Sequence, residues 1–144
     1  MKISVKALLP DAVIPTYGSE FAAGADLYAL AEEPIVILPG ETVLVHTGIA
    51  MEIPVGYGGF LYARSSLASK KGLAPANKVG VIDADYRGEI MVALHNHSAV
   101  EQRVEPKERI AQLVIAPFLK GEFELCDRLQ ETQRGSGGFG STGK

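Results

Sequence analysis

The chain has 144 residues, the size of one ordinary domain rather than two, and 47% of them are hydrophobic, enough to fill a core without covalent staples. A formal net charge of −3 with a single cysteine excludes a general nucleic-acid binder, which needs a strongly basic face. It also excludes an intrachain disulfide and a cysteine-rich zinc site. The longest apolar stretches, such as Leu113 to Leu119, fall far short of the roughly 20 residues that cross a bilayer. The opening MKISVKALLP interrupts its apolar run with charge and then a proline, unlike a signal peptide. A cytoplasmic globule with neither membrane nor nucleic acid among its partners is expected.

Strand signatures dominate the first two-thirds. Ile3, Val5, Ala7 and Leu9 alternate along one predicted extended segment, and Val43 and Val45 along another. Further strands are predicted from 35 to 38, 49 to 53, 60 to 63, 78 to 82, 89 to 96 and 112 to 118. Turn formers separate them: Pro39-Gly40, the stretch Pro54 to Gly59, Asp83 to Gly88, and Pro106 to Glu108. Many short strands without a long helical period imply an all-β protein, an antiparallel sandwich, barrel or jelly roll.

SSLASKKG breaks the pattern. Ser65 or Ser66 is suited to cap a helix of about two turns, Lys70 and Lys71 suit its negative end, and Gly72 suits its termination. Arg64 stands directly before the positive end, where backbone amides favour an anion. A surface turn with a stray arginine is the bland alternative. It gives way only because other anion-binding elements occur in the chain.

Next in order is GVIDADYRGE, Gly80 to Glu89. Asp83 and Asp85 open like a calcium loop, but Arg87 stands where the third oxygen ligand belongs and Leu94 where the bidentate glutamate belongs. The segment is predicted instead as a β-hairpin whose tip carries two carboxylates, Tyr86 and Arg87. A solvated turn would need no aromatic. His95 and His97 share a strand face, and His46 stands alone; polar strand positions explain all three better than a metal does. Asp26 follows the small residues of AGADLYA, which allow close backbone approach. Gln112, in RIAQL, is a lone amide on an apolar strand whose default role is internal hydrogen bonding.

The tail RGSGGFGSTGK gathers Gly135, Gly137, Gly138, Gly140 and Gly143 around a single large apolar group, Phe139. It matches GxGxxG and most of a P-loop string, yet no helix follows to receive a phosphate. What remains is flexible glycine backbone, two hydroxyls and the Arg134 guanidinium, the composition of a mobile lid over an anion.

Five of these segments in this order, AGADLYA, RSSLA, GVIDADYRGE, RIAQL and RGSGGFGSTG, resemble the motifs of the trimeric deoxyuridine triphosphatase (dUTPase) family, over nearly the whole chain. Ala63 before Arg64 departs from the Pro or Gly of many relatives. The resemblance implies a jelly-roll protomer, residues 1–133 forming the catalytic domain and 134–144 its flexible closing arm. It implies a homotrimer with active sites at subunit interfaces, and hydrolysis of dUTP to dUMP and pyrophosphate with Mg2+. Asp83 would be the general base. Gln112 would contact the phosphates or the catalytic water, and Asp26 would orient magnesium-bound water.

For the substrate, the resemblance implies that Arg64, Ser65 and Ser66 hold phosphate. Arg134, Gly140, Ser141 and Thr142 would close on the γ-phosphate while Phe139 stacks on uracil. Asn77, Val81, Ile82 and Met91 would form the uracil slot, and Tyr86 would exclude a ribose 2′-hydroxyl. The related dCTP deaminases, which release ammonia, are disfavoured by the complete GVIDADYRGE string and the glycine-rich tail.

Overall fold

Short alternating segments cannot bury their apolar faces singly, and here they do so as four antiparallel sheets around one core. A computed structural model describes residues 1–138. In chain order its strands are β1 (Ser4–Ala7), β2 (Thr16–Tyr17), β3 (Ala25–Tyr28), β4 (Ile35–Ile37), β5 (Thr42–His46), β6 (Ile49–Glu52) and β7 (Tyr57–Tyr62). Helix α1 (Ser65–Lys71) follows, then β8 (Leu73–Pro75), β9 (Gly80–Ile82), β10 (Met91–Asn96), β11 (Gln102–Val104) and β12 (Arg109–Pro117). The sheets run β2-β3-β12-β7-β9, β5-β10-β8, β1-β6 and β4-β11. This is the expected all-β jelly roll with one short helix. No helix among the described residues is long and apolar enough to cross a membrane.

The largest sheet positions the site. Its inward rows, Leu113–Leu61–Gly80 and Ile115–Gly59–Ile82, meet Ile53, Leu27 and Val92 in the core. Close packing leaves no room at Gly59, where a Cβ would stand 2.9 Å from Ile53 Cδ1 and 3.1 Å from Leu113 Cδ1. Its outward rows hold Asp26–Gln112–Tyr62 and Val114–Phe60–Val81, because successive side chains on a strand alternate between faces.

Several expectations need correction. The stretch from Pro54 to Gly59 is not all turn: β7 begins at Tyr57, and Gly58 and Gly59 lie within it. Strands at 16–17, 25–28, 73–75 and 102–104 were not predicted; most are too short to show a period, and Ala25–Leu27 are all buried. The first strand stops at Ala7, leaving Leu9 55% exposed. Neither Ser65 nor Ser66 caps α1. Arg64 occupies that position with extended backbone and no side-chain cap, whereas Gly72 ends the helix in the left-handed region (φ 66°) as expected.

The largest correction concerns Gly80 to Glu89. The flanking strands do not form a hairpin ladder with each other: β9 pairs with β7, and β10 pairs with β5 and β8. The chain turns at 83–88 and changes sheet. Two arms bonded to different sheets diverge, and the space between them opens as a slot.

Candidate active site

Two groups of polar side chains lie on the large sheet. The first is built by ladder register. Asp26 on β3 faces Gln112 on β12, and Gly24 permits the approach, since a Cβ there would stand 3.1 Å from Gln112 Cβ. Asp26 is only 3% exposed, although it points outward, because two guanidinium groups cover it. Arg64 Nε donates to its Oδ1 at 2.8 Å and Arg109 Nη1 to its Oδ2 at 3.1 Å. Arg64 Nη1 also donates to Ser66 Oγ at 3.3 Å. Burial of a carboxylate is tolerated when charge-assisted hydrogen bonds replace its water. The pair leaves one net positive charge beside the exposed first turn of α1, where Ser65 and Ser66 sit. Such a cluster attracts an anion.

Arg109 is absent from the sequence-derived set. The signal was present, since Arg109 opens RIAQL, but the predicted strand began at Gln112. The strand starts three residues earlier, and a register shift between Arg109 and Ala111 accompanies the approach of its guanidinium to Asp26.

The second group is built by the turn. Asn77, Val81, Ile82, Asp83, Tyr86 and Met91 line a cavity of about 260 Å³ between the diverging arms. Asn77 Nδ2 would lie 3.3 Å from a Cβ on Gly80, so the amide sits against bare backbone at the slot wall. Asp83 is exposed and also borders a broader groove of about 1290 Å³ with Val55, Phe118 and Phe123. Tyr86 is 44% exposed; its Oη donates to the Glu89 carbonyl at 2.9 Å. Gly88 allows the ring to lie against the chain, for a Cβ there would stand 2.4 Å from Oη.

Glu89 also escaped the sequence reading. His46 Nδ1 donates to its Oε2 and the Gly48 amide to its Oε1, both at 2.8 Å. Burial alone would raise its pKa, but the bonds from His46 and Gly48 prevail and hold the carboxyl below its ordinary value.

From Asp26 to the slot the sheet crosses β12, β7 and β9, a span of about 14 Å at ordinary strand spacing. Arg134 belongs to neither group: its Nε donates to the Gly137 carbonyl at 2.8 Å. Phe139, Gly140, Ser141 and Thr142 lie outside the described residues. His95 and His97 stack edge to face with centroids 4.4 Å apart, and His95 Nδ1 is paired with the Thr42 hydroxyl. Among the described residues no three His, Cys, Asp or Glu side chains cluster as metal ligands.

A family model described as dUTPase matches residues 11–143. The deoxyuridine 5′-triphosphate nucleotidohydrolase of Desulfitobacterium hafniense (strain DSM 10664 / DCB-2) is 53% identical over 90% of this chain and 87% of its own. That of Nautilia profundicola is 48% identical over the full length of both. Among solved structures, a variant of the Staphylococcus bacteriophage 80alpha dUTPase with dUpNHpp superposes with a TM-score of 0.90 at 29% identity, covering 99% of each chain. Fold and relatives together define the class, a jelly-roll hydrolase of nucleoside triphosphates. The chain belongs to the dUTPase family, and its activity is dUTP hydrolysis.

Proposed function

We propose that the protein cleaves dUTP to dUMP and pyrophosphate by attack of an Asp83-activated water on the α-phosphorus. The observation that carries this reading is the slot between β9 and the 83–91 segment, where the exposed carboxylate of Asp83 borders a small cavity of about 260 Å³. The phage relative was solved with dUpNHpp, which supports assigning the same base to this slot.

Uracil meets the backbone of the slot and the Asn77 amide, whose donor and acceptor suit its edge. Val81, Ile82 and Met91 leave no space for a 5-methyl group, and steric exclusion is needed because an open pocket discriminates a methyl weakly. Tyr86 packs on the deoxyribose where a 2′-hydroxyl would project. Arg64, Ser65, Ser66 and Gln112 hold the phosphates, Gln112 also reaching the attacking water. Asp83 takes the proton of that water as the O–P bond forms and pyrophosphate leaves. Arg134, Gly140, Ser141 and Thr142 close on the γ-phosphate as an arm of the same domain, with Phe139 over the base, excluding bulk water.

Mg2+ fits this donor set only through the substrate. Each Asp26 oxygen already accepts one guanidinium and retains one lone-pair direction, so Asp26 would be free to accept a hydrogen bond from a metal-bound water. Mg2+ would be held by the triphosphate and would supply compensation of its charge.

We further propose a homotrimer whose subunits share each site. Two features support it: the span between the phosphate group and the slot, and the outward apolar row of Val114, Phe60 and Val81, the last 66% exposed. A cytoplasmic location, with its reducing conditions, suits the exposed free thiol of Cys126. There the enzyme keeps uracil out of DNA and supplies dUMP for thymidylate. Pyrophosphate release from dUTP, dTTP, dCTP and UTP, with and without magnesium, tests the assignment; dUTP alone should be cleaved, and ammonia from dCTP would overturn it.

A further inference from the structure

The slot wall bearing Tyr86 has no ladder of its own. Residues 83–88 form a turn, closed by Tyr86 N to the Asp83 carbonyl at 3.2 Å and by Arg87 Nη1 to the Ala84 carbonyl at 2.7 Å. These bonds fix the turn to itself; its one ion pair to the body among the described residues is the exposed, long contact of Arg87 Nη2 with Glu52 Oε1 at 3.4 Å, which does not touch the Tyr86 ring. Among the described residues, the Tyr86 hydroxyl is tethered only to the Glu89 carbonyl. Where Glu89 sits therefore decides where the ring sits.

Four successive residues hold that position. His46 and the Gly48 amide bind the two carboxylate oxygens of Glu89. Thr47 Oγ1 donates to the Ile90 carbonyl, and Ile90 N donates to the Ile49 carbonyl at 2.8 Å. Only glycine fits at that position: its φ is +68°, and a Cβ there would stand 2.5 Å from Leu30 Cδ2. His46 is itself paired in register with Met91, a slot residue. Glu89 forms part of both the slot and a second cavity of about 430 Å³ behind it, where His46, Leu30 and Leu9 also lie. Glu89 thus borders both spaces. The His46 side chain, 58% exposed, lies outside the slot.

We propose that Glu89, gripped by His46 and the Gly48 amide, is a positioning residue that sets the sugar selectivity of the slot through Tyr86. This rests on the reading of the slot as the deoxyuridine site. Excluding a 2′-hydroxyl is a steric task, and a shift of well under 1 Å in the ring admits the extra oxygen. Removing the carboxylate bonds relaxes the Glu89 backbone, and the ring follows.

The test compares kcat and KM for dUTP and UTP in the full-length protein and in His46→Ala, His46→Gln and Glu89→Gln. Preference for dUTP over UTP in kcat/KM should fall about five-fold in His46→Ala and about ten-fold in Glu89→Gln. The change should lie in KM, with kcat on dUTP kept and the melting temperature of His46→Ala lowered only slightly, since its bond to Glu89 is half-exposed. His46→Gln, which still offers a donor to Glu89, should restore the preference. Tyr86→Phe, which cuts the tether at its other end, should lower the preference, and Glu89→Gln added to it should lower it little further. Parental selectivity in both His46→Ala and Glu89→Gln, in a protein that prefers dUTP, would overturn this inference alone. A parent protein that turns over UTP as readily as dUTP would remove the slot reading itself.

Discussion

The two parts of the site are held in opposite ways. Asp26, Arg64, Arg109 and Gln112 come from three elements far apart in sequence, and strand register with buried ion pairing brings them together. Asn77 to Met91 is one nearly continuous stretch, and its slot exists because its two arms join different sheets. A cluster assembled by register is stiff and presents fixed charge, which suits an anion whose shape varies little. A turn hung between two sheets adjusts by small rotations, which suits discrimination of one methyl or one hydroxyl. Loss of a residue from the first should therefore appear in stability, and from the second in turnover or selectivity.

The sharpest way to break this contrast is to neutralise one acid in each part. Asp83 is exposed and no ion pair of the described residues includes it. On the proposed mechanism, Asp83→Asn lowers kcat by roughly 10²- to 10⁴-fold while dUTP binding persists. Its unfolding free energy should stay within about 0.5 kcal/mol of the parent. Single-turnover hydrolysis and calorimetric titration measure both, and hydrolysis at the parental rate would remove Asp83 from the role of base.

Asp26→Asn should behave in the other way. It leaves two guanidinium groups against a neutral amide in a site 3% exposed, and stripping one partner from a buried pair costs about 3 kcal/mol. Because Arg109 is partly solvated, with 48% of its side chain exposed, the loss belongs at or below that figure. Urea unfolding would show it as a lowered midpoint with unchanged slope. An unchanged midpoint would mean that the carboxylate is dispensable to the fold, and the contrast between the two parts would collapse.

How much of this was legible in the sequence follows the same division. The turn at 83–88, with Asp83 and Tyr86, was readable because its signals are local. The helix end at Gly72 was readable for the same reason. The hairpin expectation failed because nothing between Val79 and Leu94 says which sheet each arm joins; β7 and β5, its actual partners, lie upstream of Asn77. Ala25–Tyr28 went unseen because a strand with Ala25, Asp26 and Leu27 all buried shows no alternation. Burial of Asp26 depends on Arg64 and Arg109, and no spacing rule relates positions so distant. Glu89 read only as the first residue of the strand predicted from 89 to 96, since His46 and Gly48 meet it only in three dimensions.

Gly88→Ala probes the turn with less force. The added methyl must displace the Tyr86 hydroxyl and ring edge, which would lie 2.4–2.9 Å away. The far end of a side chain moves cheaply, so stability should change by under about 1 kcal/mol. The ring would leave the sugar wall, raising KM for dUTP about ten-fold with a smaller change in kcat. Gly59→Ala is the matched control in the stiff region. Its methyl meets Ile53, Leu113 and Ile82 inside the core, so overpacking should cost about 1–3 kcal/mol with little effect on the KM of the folded enzyme. Equal loss of stability in both variants would contradict the distinction between register-held and turn-held parts.

The smallest effect expected is acid sensitivity from Glu89. Its folded-state value is depressed below the ordinary 4.5, so the folded form prefers the carboxylate more than the unfolded chain does. The stability it contributes is fully present above 4.5 and is lost as pH falls through the depressed value. Glu89→Gln cannot titrate and should show a shallower decline of the urea midpoint over that acid range, although its midpoint at neutral pH lies lower. The two curves should converge as the parent protonates. Parallel curves down to the acid transition would show that the carboxylate gains nothing from His46 and Gly48 in solution, and the turn would then be held by its backbone bonds alone.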